Sequence, residues 1–98
     1  MTEPRFEWGP ANNRANILKH RVSFEQALRV FSDPLRSNKF DGFDGGEERW
    51  RTYGEVVGLA LIMVAHTYRD DEGAEVIRII SARQATRNER RSYEREDG

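Results

Sequence analysis

The chain has no cysteine. That excludes a disulfide framework, a thiolate zinc site and a cysteine nucleophile, and points to a reducing compartment such as the bacterial cytoplasm. Long apolar runs are also missing. The longest, Val56 to Ala65 with Gly58 inside it, falls well short of the roughly 20 residues that a membrane span requires, and no signal-peptide pattern opens the chain. A soluble cytoplasmic protein with no membrane partner is therefore expected. There is no phosphate-cradling glycine motif, no HExxH zinc pair and no serine set in a nucleophile elbow, so NTPase, zincin and serine-hydrolase chemistry drop out.

What remains is short and heavily charged. With 98 residues, the chain is expected to form one domain over residues 1–98, able to remove only about 60 to 65 per cent of its unfolded surface from water. Apolar residues make up 37% and charged residues 34%, which predicts a small core under a charged surface, while two Trp, three Tyr and five Phe argue against disorder. The net charge of -1 conceals a division along the chain. Residues 1–36 carry six basic and four acidic groups, 37–75 four and nine, and 78–98 six and four. Basic ends flank an acidic middle.

The periodicities predict an α+β domain in the order β-α-α-β-β-β-β-α, an antiparallel sheet with helices packed on one side. Phe6-Glu7-Trp8 alternates as a short strand ended by Gly9-Pro10. Ala11, Ala15, Leu18 and Val22 lie on one face of a helix over roughly 11–20. Ser23 and Gln26 form a capping-box signature ahead of a second helix carrying Phe24, Ala27, Leu28 and Phe31, stopped by Asp33-Pro34. Thereafter the period falls to two. Strands are expected over 35–40, 49–57, 59–68 and 75–81, with a glycine loop over 41–48 and a charged turn at Asp70 to Gly73. Leu59 to Ala65 is apolar on both faces and predicts a central strand. Capping boxes at Ser81/Gln84 and Thr86/Glu89 open a last helix over 82–96.

Several groups could carry chemistry. Lys19-His20 closes the first helix, where the macrodipole favours cations; a plain helix-end role is equally open. His66, inside the central strand, reads first as a hydrogen-bonded core residue. Arg69 lies at the end of one strand and Arg83 just past the end of the next. If they converge, two guanidinium forks would chelate a phosphate, and pairing with Asp70, Asp71 or Glu48 is the competing reading. Arg83, Arg87, Arg90 and Arg91 recur at i, i+4, i+7 and i+8, a stripe that either follows a nucleic-acid backbone or forms ion pairs such as Arg90 with Glu94. Trp50, Tyr53 and Tyr68 could stack on bases or fill the core. Glu48 could act as a base or end the loop.

Phe6-Glu7-Trp8, then Asn16 and Lys19-His20 leading into Val22-Ser23-Phe24-Glu25, then Gly46-Glu47-Glu48-Arg49-Trp50, and finally Arg78-Ile79-Ile80-Ser81-Ala82-Arg83 with Ala85-Thr86 and Glu89-Arg90 to Tyr93-Glu94, resemble the BrnT toxins. The segments occur in order and span nearly the whole chain. Three positions depart from the usual pattern: Gly9 stands where Asp follows the first Trp, Arg21 where Gly follows Lys-His, and Asn12 near a usual lysine.

The resemblance implies a RelE-like compact fold and a ribonuclease toxin of a type II toxin–antitoxin module that inhibits translation. It also implies a BrnA-like antitoxin partner, RNA as substrate and operator DNA bound through the toxin–antitoxin complex. Carried over residue by residue, it implies a catalytic set of Arg69, Arg83, His20, Lys19 and Glu48, with Arg87, Arg90, Arg91 and Trp50 against RNA, and an endoribonuclease mechanism using neither metal nor cofactor. A 2′-hydroxyl would attack the adjacent phosphate, Arg69 and Arg83 would stabilise the anionic transition state, His20 or Glu48 would move protons and Lys19 would fix the backbone. The alternative is a non-catalytic or degenerate toxin-fold module that binds antitoxin and operator DNA.

Overall fold

The apolar run at the middle of the chain forms the centre of the molecule. A computed structural model describes residues 3–97 and places them in β1 (Arg5–Glu7), α1 (Pro10–His20), α2 (Phe24–Ala27) with a 3₁₀ turn (Leu28–Ser32), β2 (Ser37–Asp44), β3 (Glu47–Val56), β4 (Ala60–Asp71), β5 (Ala74–Gln84) and α3 (Arg87–Asp97). The five strands form one sheet in the order β1-β5-β4-β3-β2. All neighbours are antiparallel except β1, which runs parallel to β5. The α+β class and the element order are as expected. The sheet is mixed because a strand that returns to its edge after a helical excursion can pair in either sense.

β4 is central and buried on both faces from Leu61 to Thr67, and both sets of its alternating side chains are apolar from Leu61 to Ala65, as a doubly covered strand requires. Ile62 and Val64 pack with Val56, Ile79 and Ala82 beneath Val22, Phe24, Ala27 and Val30 of the α1–α2 segment. Leu61, Met63 and Ala65 face the other way and join Tyr53 beneath Tyr93 of α3. Helices therefore cover both faces, not one. α3 crosses to the second face because Tyr93 is the one large apolar group it has to bury, and its hydroxyl donates to Asp33 Oδ2 at 2.7 Å.

Other boundaries moved for identifiable reasons. The expected glycine loop over 41–48 is largely strand, because Gly45 and Gly46 with φ of 58° and 83° close a two-residue hairpin that lets β2 and β3 pair almost to the turn. β5 runs on to Gln84, and α3 starts only at Arg87 behind the Thr86/Glu89 capping box; ladder pairing of Ala82, Arg83 and Gln84 with β4 outweighs the helical signal at Ser81/Gln84. The second helix breaks into a 3₁₀ turn after one α turn, although its Ser23/Gln26 box forms as expected. α1 does not pack through the expected stripe: Leu18 is 81% exposed, and the helix is held by buried Asn16, which donates to the carbonyls of Val22 and Ala82 at 2.8 Å each and accepts from the Ala82 amide.

Two of the departures from the BrnT pattern fall on the ends of α1. Gly9 is its N-cap and offers no side-chain acceptor, while Arg21 is its C-cap with φ of 63°. An Asp followed by a Gly at these places is what helix capping favours. Gly9→Asp combined with Arg21→Gly should therefore raise stability by about 1 kcal/mol, read as an upward shift in the urea midpoint; an unchanged or lowered midpoint contradicts the capping account.

His66 is 5% exposed. Its Nε2 lies 2.7 Å from Thr52 Oγ1, and Thr52 donates to Asn38 Oδ1 at 2.9 Å, so the core reading of this histidine holds. Burial pushes its imidazole down to about 4, against a weaker upward pull from the Thr67 carbonyl. As pH falls from 6.5 the unfolded chain takes up a proton that the folded chain refuses, so this contribution is complete above 6.5 and is lost progressively toward 4. The full loss is about 3 kcal/mol. Urea unfolding of the parent between pH 7 and 4.5 should show it, with a flatter profile in His66→Gln.

Candidate nucleic-acid interface

Side-chain alternation divides the sheet into two surfaces of opposite character. On the face that carries α1 and α2, called here the helix-bearing face although α3 crosses part of the other, Glu48, Trp50, Thr52, His66 and Tyr68 point together. On the other, Lys39, Arg49, Arg51, Arg69, Arg78 and Arg83 share a plane with Glu7, Asp41, Glu47 and Glu89, as their ion pairs and the hollow under α3 show. Counting the Arg49–Asp44 and Arg5–Asp71 pairs, seven cations meet six carboxylates here, and this arginine-rich surface is the basic face.

Its best-organised part is the fork of Arg83. Nη1 and Nη2 bind Glu89 Oε1 and Oε2 at 2.8 and 3.1 Å, a two-pronged contact, and Tyr53 donates its hydroxyl to Glu89 Oε2 at 3.0 Å. Arg51 approaches the same oxygen at 3.9 Å. The Arg83 bond holds the Glu89 carboxyl at about 2, with desolvation opposing it and the Thr86 amide and Tyr53 assisting. Burial, then the contact with Glu89, pushes the Tyr53 phenol upward. Glu89 thus stays ionised at neutral pH and is a weak proton acceptor there. Its two oxygens occupy the position that two phosphate oxygens would take against a guanidinium fork.

Arg69 lies on the same face but not at the same place. Register pairs Arg83 with Met63 and Arg69 with Val76. Six residues of β4 separate Met63 from Arg69, about 20 Å at the usual strand rise. The two guanidiniums do not converge. Arg69 instead binds Glu7 at 2.9 Å and Glu47 at 3.5 Å, and that bond holds the Glu7 carboxyl below its ordinary range. The convergence expected from strand ends fails because an antiparallel pair places the end of one strand beside the start of the next.

The remaining expected site residues scatter. Lys19 and His20 end α1, which covers the opposite face; the Asn16–Ala82 bonds put that end of the helix near the Arg83 end of β5. Glu48 and Trp50 sit on the helix-bearing face, joined by the indole N–H donating to Glu48 Oε1 at 3.2 Å, and so are separated from Arg69 and Arg83 by the sheet itself. Arg87, Arg90 and Arg91 are exposed on α3, but Arg83 belongs to β5 and is not part of their stripe. A hollow of ≈ 750 Å³ lies beside the β3–β4 turn and includes only Arg90 of the expected residues. We attach no chemistry to it, since its titratable groups Arg29, Asp33, Glu55 and Arg90 form no two-pronged cluster like that at Arg83.

Sequence reasoning missed Lys39, Arg49, Arg51, Arg78 and Glu89, and considered Tyr53 as a base stacker or core residue, not as a partner of a carboxylate. The signal was present: Arg49-x-Arg51-x-Tyr53 alternates and puts all three on one strand face. Which carboxylate would meet Arg83 was not readable, because Glu89 reaches it only after the chain turns at Ala85-Thr86.

Comparison with individually curated proteins gives no match. The family model for the ribonuclease toxin BrnT of type II toxin–antitoxin systems matches residues 8–89, a span that begins just after β1 and ends at the carboxylate held by Arg83. It takes in the basic strands, the α1 end and the Arg83–Glu89 contact together. The chain therefore belongs to the BrnT family of type II toxin–antitoxin ribonuclease toxins.

Proposed function

We propose that this chain is an endoribonuclease that cleaves RNA on its basic sheet face without a metal ion, inhibiting translation, and that a BrnA-like antitoxin neutralises it in a complex that also binds operator DNA. The observation that carries the reading is the Arg83 fork, already holding a carboxylate in two-pronged geometry beside Arg51 and Tyr53. A phosphate of the substrate exchanges with Glu89 for that fork.

The ribose 2′-oxygen then forms a bond to phosphorus as the bond from phosphorus to the 5′-oxygen breaks, leaving a 2′,3′-cyclic phosphate and a 5′-hydroxyl. Arg83 and Arg51 stabilise charge building on the non-bridging oxygens. His20, the histidine not buried against Thr52, takes the 2′-hydroxyl proton and returns a proton to the departing 5′-oxygen, reaching Arg83 from the α1 end that the Asn16–Ala82 bonds hold beside β5; Lys19 contacts the backbone beside it. Arg69, Arg78, Arg49 and Lys39 hold flanking phosphates along the face, with Arg87, Arg90 and Arg91 extending the track on α3. Arg69 thus acts as a remote backbone contact, not as the second half of a clamp. The substitution at Gly9 lies at the end of α1 remote from His20, and Arg21 adds a cation beside His20 without removing any group assigned to the reaction, which favours an active enzyme over a degenerate binding module.

Purified protein should cut single-stranded RNA to cyclic-phosphate ends in the presence of EDTA, and should spare both DNA and RNA carrying 2′-deoxyribose at the mapped cut. Cutting of either spared substrate, or loss of activity in EDTA, rejects the mechanism. Arg83→Ala should lower kcat about 10²–10³-fold, whereas Arg69→Ala should chiefly raise KM and flatten the salt dependence of binding; equal kcat effects from the two would contradict the assignment of separate roles.

A further inference from the structure

The helix-bearing face holds a cleft of ≈ 440 Å³ whose chemistry is opposite to that of the basic face. Phe31, Trp50 and Tyr68 supply aromatic walls, His66 and Thr52 lie at its base, and Glu48 and Glu75 stand at the rim. Each rim carboxylate is oriented by an aromatic neighbour: Trp50 Nε1 donates to Glu48 at 3.2 Å, and the Tyr68 hydroxyl donates to Glu75 at 3.1 Å. Each contact uses Oε1 and leaves the second oxygen available. Glu7, Asp41, Asp44, Glu47, Asp71 and Glu89 on the basic face are each paired with arginine, yet among the described residues neither Glu48 nor Glu75 has a cationic partner. Arg36, the one cation lining the cleft, donates instead to the Asp33 carbonyl at 3.2 Å.

A phosphate chain is a poor occupant, because two unpaired carboxylates repel it. A planar cation is a good one. It stacks on aromatic faces, where the ring quadrupole attracts positive charge, and offers several N–H groups to the free carboxylate oxygens. The floor does not oppose it, since burial keeps His66 neutral at physiological pH. Beyond the cleft, Phe40 and Phe43 are 53% and 70% exposed and continue the aromatic surface from Trp50, with ring centroids 5.3 and 5.5 Å apart in succession. They lie on β2, an edge strand. A basic side chain flanked by apolar residues fits cleft and strip together.

We propose that this acid-rimmed aromatic cleft is the seat of an arginine side chain of the antitoxin, anchoring that protein to the face opposite the RNA-binding one. The occupant is assigned by charge complementarity and by the toxin–antitoxin membership of the family; the proposal does not depend on the cleavage mechanism. An antitoxin held here leaves the basic face to be covered by a different segment of the same partner.

Two measurements test it. In the first, the full chain labelled with ¹⁵N is titrated with N-acetylarginine amide and, separately, with the neutral isostere N-acetylcitrulline amide, following the Trp50 indole N–H, assigned by comparison with Trp8→Phe. The arginine probe should give a saturable shift that weakens about tenfold in Glu48→Gln/Glu75→Gln, the loss expected for charge-assisted bonds, and the citrulline probe should give none. Equal responses to the two probes, or a response indifferent to the double substitution, overturns the proposal, as does a saturable shift of the same indole by oligouridylate, which would make the cleft an RNA subsite. In the second, Glu75→Gln should weaken binding of the antitoxin encoded beside the toxin by about tenfold and leave RNA cleavage by the free chain unchanged. Unchanged antitoxin binding overturns the inference while leaving the ribonuclease reading intact, and lost cleavage places Glu75 in the enzyme instead of the interface.

Discussion

The whole arrangement depends on one irregularity in the sheet. Ala65 pairs with Ser81 and His66 with Ile79, so Ile80 is an extra residue in β5 with no partner of its own. Before this bulge the odd-numbered Ile77 and Ile79 face α1 and α2 and Arg78 faces the other side; after it Ala82 faces α1 and α2 and Arg83 the other side. Without the extra residue, strict alternation would turn Arg83 inward with Ile79 and bury a guanidinium in the apolar layer. The bulge keeps both arginines of β5 on one surface, and it leaves Ala82 in place to make two of the three bonds of Asn16 that seat α1, the third going to the Val22 carbonyl.

From that constraint follow two faces with different electrostatics. The basic face is not simply positive: each of its carboxylates pairs with an arginine, and the resulting lattice holds guanidiniums in fixed orientations before any ligand arrives. Such preorganisation is how fixed charges stabilise a transition state without reorganising during the reaction. In the proposed reaction it also carries a cost, since a phosphate would have to compete with Glu89 for Arg83. Because Glu89 caps the first turn of α3 through Thr86, release of the fork is coupled to the start of the helix that Tyr93 docks. The helix-bearing face keeps its two carboxylates unpaired and its aromatics half covered, a surface suited to a different kind of ligand.

Within the BrnT family, the chain's departures at Gly9 and Arg21 gain a structural meaning. Both lie where α1 begins and ends, and both weaken caps. α1 tolerates this because it is held less by its own helical signals or an apolar stripe than by one buried amide. Asn16 satisfies backbone groups on two other segments at once, a role that apolar periodicity does not reveal. The exposed Leu18 shows how far the stripe misleads.

The order of elements, the burial of the central strand, the neutral core role of His66 and the capping boxes at Ser23 and Thr86 were determined by local pattern, because period, turn chemistry and capping act over a few residues. The residues that resemble the family were readable for the same reason. Which cations meet which carboxylates was decided only by tertiary structure. Arg69 and Arg83 are 14 positions apart in the chain, but strand direction sends them to opposite ends of a ladder. Glu48 and Trp50 neighbour Arg49 and Arg51 in sequence, but alternation sends them through the sheet to the other side. Charge acts through space, and register, bulge and strand sense set the distances over which it acts.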